Sequence, residues 1–202
     1  MSQHVNILAF AASTRKESLN KKLVQAAATF AGDATTSITL IDLKNFPIPL
    51  YDGDYEEENG QPDSALQLRA LFKQHDALII ASPEYNGFFP PLLKNTFDWL
   101  SRPLDKEERH AAFKSKSVLL MSATRGESGG KRGLNSLRQL LNNLKAEVHE
   151  REFLMPKGNE AFDVEGNIIS QPLRNGLLDT VHGFVKRLHR EADTDSRIAA
   201  NV

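Results

Sequence analysis

Three short stretches carry side chains suited to binding chemistry. The first is Ser13-Thr14-Arg15-Lys16-Glu17-Ser18-Leu19-Asn20, which lies between an apolar run and a stretch of helical character. A strand-to-helix junction offers unpaired backbone N–H groups and the positive end of a helix dipole, and both suit a phosphate dianion. The hydroxyls of Ser13, Thr14 and Ser18, the amide of Asn20 and the guanidinium of Arg15 are donors of the kind that bind phosphate oxygens. A plainer reading also stands, in which Ser18 and Asn20 cap the helix and Arg15 is a surface charge.

The second stretch is Ser82-Pro83-Glu84-Tyr85-Asn86-Gly87-Phe88-Phe89-Pro90-Pro91. Its prolines stiffen the loop, and Gly87 lets a flat group come close to the backbone, whose N–H groups can address ring heteroatoms. The third is Ser122-Ala123-Thr124-Arg125-Gly126-Glu127-Ser128-Gly129-Gly130. Its glycines let the main chain curve around the polar edge of a ligand; the alternative is a mobile surface turn. Two phosphate-binding patterns are missing. No Gly-x-Gly-x-x-Gly turn accompanies Asp42, which on its own does not make a dinucleotide fold, and Gly129-Gly130-Lys131 is followed by Arg132 where a P-loop needs Ser or Thr, with Arg125 at its upstream glycine position.

The elements that must position these loops follow from periodicity. Val5 to Phe10, Ser37 to Ile41, Ala77 to Ala81, Ser117 to Ala123 and Glu147 to Leu154 read as strands. Between and after them, helices are expected from Ser18 or Asn20 to Gly32, Ser64 to Gln74, Pro91 to Ser101, Gly133 to Lys145 and Pro172 to Arg190. Alternating strands and helices imply a parallel sheet covered on both faces. The expectation is an α/β, three-layer, doubly wound fold with a five-stranded parallel sheet of order 2-1-3-4-5, in one domain over residues 1–190. Ligands of such sheets bind beyond the carboxyl ends of the strands at the switch point, here between the first and third strands. Leu43 to Asp63, with Pro47, Pro49 and an acidic cluster, is expected to be an exposed excursion, either solvated or forming a substrate-side wall or subunit contact. Residues 191–202 are expected to fray.

The order and content of the loops resemble one family, the NAD(P)H-dependent FMN reductases of the flavodoxin-like superfamily. The likeness rests on Ser13-x-Arg15-x-x-Ser18-x-Asn20 after the first strand, and on Pro83-Glu84-Tyr85-Asn86-Gly87 followed by Pro90 and Leu93-Lys94-Asn95-x-x-Asp98-Trp99. It spans roughly Val5 to Leu141. It implies that Ser13, Arg15, Ser18 and Asn20 hold an FMN phosphate, beside which the Thr14 hydroxyl is a further expected cofactor contact, and that Pro83, Glu84, Tyr85, Asn86 and Gly87 line the isoalloxazine. Ser122, Ala123, Thr124, Arg125 and Gly126 are expected at the pyrimidine end. Ala12 stands in place of a usual glycine, and Phe88 in place of a small residue that is commonly serine. Hydride would pass from NADPH or NADH to FMN and on to a small acceptor: a quinone, azo compound, metal oxyanion, flavin or oxygen. No catalytic side chain is expected, because the cofactor carries the chemistry. Arg15, Lys131 and Arg132 are open candidates for a 2′-phosphate.

The chain's 25 basic and 26 acidic residues give a net charge of -1, so nothing global draws it to nucleic acid or an anionic membrane. With no cysteine it has neither disulfides nor thiolate metal sites, and its six histidines show no metal spacing. No basic leader precedes the first strand and no segment reaches the ~20 apolar residues of a membrane span, so a cytoplasmic location is expected. The apolar helix around Phe97 and Trp99, with Phe88 and Phe89, suggests a homodimer or dimer of dimers. Two other readings keep the fold: a flavodoxin-like electron carrier that ignores NAD(P)H, and a flavin-free regulatory protein.

Overall fold

In the computed structural model, which describes residues 4–104 and 107–199, Val5–Ala11 forms strand β1. Successive side chains leave a strand on opposite faces, and here both faces are covered. Val5, Ile7, Ala9 and Ala11 enter one core while Leu8 and Phe10 enter the other. The chain continues through α1 (Leu19–Ala31), β2 (Thr36–Asp42), α2 (Gly53–Asn59), α3 (Asp63–Gln74), β3 (Ala77–Ala81), α4 (Pro91–Leu100), β4 (Ser117–Ala123) and α5 (Lys131–Asn143). Two short strands, β5 (Glu147–Val148) and β6 (Phe153–Met155), precede α6 (Gly158–Ala161) and α7 (Gln171–Ala199).

The sheet is parallel, in the order β2-β1-β3-β4-β5, as the alternation requires. Helices α1 and α7 cover one face; α3, α4 and α5 cover the other. Small residues on the first face, Ala9, Ala11, Ala77, Ala81 and Ala123, let α1 lie close to the strands through Leu23, Val24 and Ala27. The second face is thicker, because Phe10, Phe72, Phe97 and Phe113 meet there edge to face or tilted, with ring centroids 5.0–6.3 Å apart.

The single strand expected over Glu147 to Leu154 is instead two pieces on the same edge of β4, β5 against Ser117 and Val118 and β6 against Met121 to Ala123. Arg138 of α5 makes the break. Its guanidinium donates to the carbonyls of Val148 (3.4 Å) and His149 (2.9 Å) and to the Glu152 carboxylate (3.3 Å). The charged run Glu150-Arg151-Glu152 also suits a strand poorly.

The last helix does not stop at Arg190 but runs to Ala199, so most of the segment expected to fray is helical; residues 200–202 lie outside the described residues. Glu191 anchors this extension by pairing with Arg187 and accepting from the Ser117 hydroxyl (3.2 Å).

The acidic excursion contains α2 and is docked rather than loose. Trp99 Nε1 (2.9 Å) and Asn95 Nδ2 (2.8 Å) both donate to the Pro49 carbonyl, and Asn95 Oδ1 accepts from Tyr51 N–H (2.7 Å). The rings of Tyr51 and Tyr55 lie edge-on to Trp99 at 5.0 and 6.1 Å. The apolar surplus of α4 is therefore covered by the chain itself, and Trp99 is fully buried.

Replacing Asn95 by Ala removes the acceptor of Tyr51 N–H and one of two donors on Pro49. The expected outcome is a loss of about 1–2 kcal/mol of stability, with hydrogen exchange or proteolysis accelerated within residues 47–59 and unchanged in β1 and β3. Uniform acceleration across the sheet would contradict this assignment.

Candidate functional site

The carboxyl ends of β1, β3 and β4 open into one pocket of about 270 Å³, and all three loops singled out from the sequence reach it. From the first loop come Ser13, Arg15, Ser18 and Asn20, from the second Pro83, Glu84 and Tyr85, and from the third Ala123, Thr124 and Arg125.

Ser18 is the N-cap of α1; its side chain accepts from Lys21 N–H (3.4 Å). Capping of one N–H leaves those of Leu19 and Asn20 without an intrahelical acceptor. The first turn carries no acidic residue, so the positive helix end faces the pocket uncompensated from within the helix. Ser13 is buried and its hydroxyl accepts from Arg15 N–H (3.3 Å), which shapes the turn. The Arg15 side chain is exposed at the pocket rim.

Asn20 lines the pocket and also joins two loops. Its Nδ2 donates to the Ala123 carbonyl (2.9 Å) and its Oδ1 accepts from Ala123 N–H (3.0 Å), with the residue 2% exposed. The amide stands in for a strand neighbour at the end of β4 and ties the first loop to the third. The second Nδ2 hydrogen is left for the pocket, which Asn20 also lines. Thr14 turns away, toward a neighbouring groove formed by residues 43–44, 46–49 and Leu92.

The second loop is a tight hairpin. Tyr85 and Phe88 exchange main-chain hydrogen bonds (2.8 and 3.0 Å) around Asn86 (φ 52°) and Gly87 (φ 81°). Two successive positive φ values define the type I′ turn, which favours Asn-Gly. Asn86 and Gly87 thus form the tip of the hairpin, whose base, Pro83 to Tyr85, lines the pocket. Below the tip, Glu84 reaches across to α5: one carboxylate oxygen accepts from Gly133 N–H (3.0 Å), the other from Arg132 (2.9 and 3.2 Å). The Glu84 side chain is only 8% exposed. Burial raises its pKa, but the Gly133 N–H and the bonds and charge of Arg132 outweigh that and hold the carboxyl below its ordinary value. This carboxylate caps α5, whose own N-cap, Gly130, supplies no side chain. It also accounts for the helix starting at Lys131, two residues before the expected Gly133.

In the third loop, Ser122 is fully buried and points beneath Gly130 (φ 89°), where a Cβ would stand 2.0 Å from its hydroxyl oxygen. The hydroxyl does not line the pocket. Gly126 also lies outside the lining; its carbonyl accepts from Lys157 N–H (3.2 Å). The Gly158 N–H donates to the Thr124 carbonyl (2.7 Å), so the β6–α6 turn supports the loop and brings Asn159 to the pocket. Asn159 was not foreseen. Nor were Glu17 and Leu19, although both lie inside the first motif.

The donor set fits a cofactor with a terminal phosphate. Two hydroxyls, one guanidinium and a helix end with no acid in its first turn line the pocket together with a stiff hairpin and the polar residues Thr124, Arg125 and Asn159; among the described residues that line it, the carboxylates are Glu17, just before the cap, and Glu84, which is paired with Arg132.

Residues 5–160 match the family model described as NADPH-dependent FMN reductase. The chain belongs to this family. It is a flavin-dependent oxidoreductase that passes electrons from NAD(P)H to an acceptor, with FMN as cofactor. The reductase is 33% identical over 186 residues to a quinone reductase of Escherichia coli (strain K12), covering 91% of this chain and 93% of the relative. It is 30% identical over 192 residues to an NAD(P)H-dependent FMN reductase of Pseudomonas aeruginosa, covering 93% and 99%. Among solved structures it is similar to the flavoenzyme NAD(P)H:(acceptor) oxidoreductase FerB from Paracoccus denitrificans, with a TM-score of 0.79 and 24% identity over 92% of this chain and 98% of that one. The shared fold is flavodoxin-like.

Because the folded-state pKa of Glu84 lies below the ordinary 4.5, the carboxylate's contribution is fully present above pH 4.5 and is lost as pH falls through the folded value. Replacing Glu84 by Gln should cost about 1–2 kcal/mol at pH 7, and the gap from the unaltered protein should close on acidification below pH 4.5. Denaturant titrations at pH 7 and pH 4 check this; a gap that does not depend on pH would refute it.

Proposed function

We propose that this reductase binds FMN in the pocket at the ends of β1, β3 and β4 and transfers electrons from NAD(P)H to a quinone. The observation that carries the reading is the convergence of Ser13, Arg15 and Ser18, of Pro83 to Tyr85, and of Thr124 and Arg125 on that one pocket. Ser13, Arg15, Ser18 and the first-turn N–H groups of α1 hold the phosphate, where the helix end and guanidinium supply positive charge. Pro83, Glu84 and Tyr85, with the Asn86-Gly87 tip, form the wall for the isoalloxazine; Thr124 and Arg125 meet its pyrimidine edge. Asn20, Ser122 and Gly126 act on the site by fixing the loops.

FMN, when bound, supplies the two-electron chemistry, accepting hydride from the nicotinamide and returning the electrons to the acceptor. The balance is NAD(P)H, one proton and a quinone giving NAD(P)⁺ and a hydroquinone. The chain's part is to orient the two flat partners and to aim main-chain donors at developing negative charge. Glu84 stays ionised near neutral pH, so this carboxyl does not supply the proton. Two of the cations considered for a 2′-phosphate are engaged, Lys131 with Glu152 and Arg132 with Glu84, which favours use of both NADH and NADPH.

The quinone acceptor is supported by relatives named quinone reductase in Escherichia coli and 2-hydroxy-1,4-benzoquinone reductase in Burkholderia. A homodimer is supported by the apolar groove of Leu43, Phe46, Pro47, Ile48, Pro49 and Leu92, beside which Leu50 is 81% exposed. A second copy would cover this surface. Reduced nicotinamide as donor favours the cytoplasm, and no described helix is long and apolar enough to cross a membrane.

Arg15→Ala should weaken FMN binding about 10- to 100-fold, the loss of one charge-assisted contact pair, measured by flavin fluorescence quenching. Anaerobic addition of NADH or NADPH to the reconstituted protein should bleach the flavin band faster than in free FMN; a protein that takes up no FMN would end the proposal. Leu50→Asp should shift the mass in light scattering from dimer toward monomer, and an unaltered protein that is already monomeric at micromolar concentration would remove the dimer.

A further inference from the structure

The hairpin beside the pocket carries two large exposed rings, and flavin binding accounts for that of Tyr85 alone. Tyr85 is 45% exposed and lines the pocket; Phe88, its hydrogen-bonded partner across the turn, is 51% exposed. Directly opposed residues of an antiparallel pair project from the same face of the ribbon, with Cβ atoms about 5 Å apart. Leaving a phenylalanine half in water forgoes about 1 kcal/mol of burial, so this position has a reason to be something smaller.

What distinguishes Phe88 from an incidental surface ring is how firmly it is held. The Asn86-Gly87 turn sets the backbone on one side. On the other, Phe89 is 4% exposed and its ring lies under that of Phe88, with centroids 4.4 Å apart and planes inclined by 31°. The strand entering the turn is pinned to α5 by Glu84, and the backbone leaving Phe88 lies against the same helix, since a Cβ on Gly133 would stand 3.2 Å from the Phe88 carbonyl. A ring carried on a backbone held on both sides, seated against Phe89 and half open to water, is a preorganised stacking surface, which binds a flat partner with little further loss of entropy.

We propose that Phe88 is a specificity-determining residue that, with Tyr85, forms an aromatic shelf for the acceptor and selects planar, fused-ring quinones over acceptors without a flat face. The inference rests on the proposed site reading, which puts the flavin beside Tyr85. The shelf adds dispersion and apolar burial with the acceptor and leaves the FMN phosphate contacts untouched.

The test compares Phe88→Ser and Phe88→Tyr with the unaltered, FMN-loaded protein, using 1,4-naphthoquinone and ferricyanide as acceptors at saturating NADH. Serine should raise KM for the naphthoquinone about tenfold, equivalent to about 1.4 kcal/mol, and leave kcat, ferricyanide reduction and FMN affinity unchanged. Tyrosine should restore the original KM. Equilibrium dialysis of 1,4-naphthoquinone against the oxidised protein without nicotinamide should show the same tenfold rise in Kd, a readout that does not depend on turnover. An equal loss with both acceptors would overturn the proposal by making Phe88 a flavin- or nicotinamide-positioning residue. An unchanged naphthoquinone KM and Kd would overturn it outright. A shift from dimer to monomer on Phe88→Ser would do so too, by showing the ring covered by a second copy. If the unaltered protein binds no FMN, the site reading fails, and the dialysis experiment still decides whether the shelf takes a quinone.

Discussion

The site depends on one constraint: the central strands of a parallel sheet must be buried on both faces, and their connections therefore cross over by way of helices. Once β1, β3 and β4 lie side by side, their carboxyl ends open on the same edge, and the loops that leave them have to meet there. At β1 the chain departs through α1 toward β2, while β3 lies on the other side, so the first and second loops diverge and leave a gap between them. The small residues facing α1 and the phenylalanines facing α3 and α4 are two ways of filling the space that this arrangement creates.

Within that gap the electrostatics are set by two helix ends treated in opposite ways. The N-terminus of α5 is closed by the Glu84 carboxylate, which accepts from Gly133 N–H and pairs with Arg132. The N-terminus of α1 keeps only a neutral serine cap, has no acid in its first turn and has Arg15 nearby. Both ends would attract an anion. One is satisfied internally, which leaves the other for a ligand. The same Glu84 contact fixes the hairpin that carries Tyr85 and Phe88, so charge placement and the shape of the pocket wall are coupled through one side chain.

The excursion over residues 43–59 shows the same economy on a larger scale. It covers Trp99, supplies the Pro49 carbonyl to the indole N–H, and forms one wall of the apolar groove next to the first loop. A surface that the sequence offered as a contact between copies is in large part an internal contact, and the groove edge with Leu50 is what remains for a partner.

From the sequence alone, the strand runs from Val5, Ala77 and Ser117, the helices between them and the three loops at the strand ends could all be read, because burial on two faces and helical spacing leave periodic marks within a few residues. The pairing of Ser13-x-Arg15-x-x-Ser18 with Pro83 to Gly87 was enough to indicate the family and its cofactor. Other assignments depended on contacts between residues far apart in the chain. The Asn20 amide is bonded to Ala123, Glu84 caps a helix that begins some fifty residues later, Ser122 lies under Gly130, and Asn159 arrives at the pocket on α6. Arg138 breaks the last strand in two, and Glu191 holds a helical turn that composition suggested would fray. A donor or carboxylate looks the same in sequence whether it faces a ligand or a backbone group. Which one it meets is decided only when the sheet has brought distant segments within hydrogen-bonding distance.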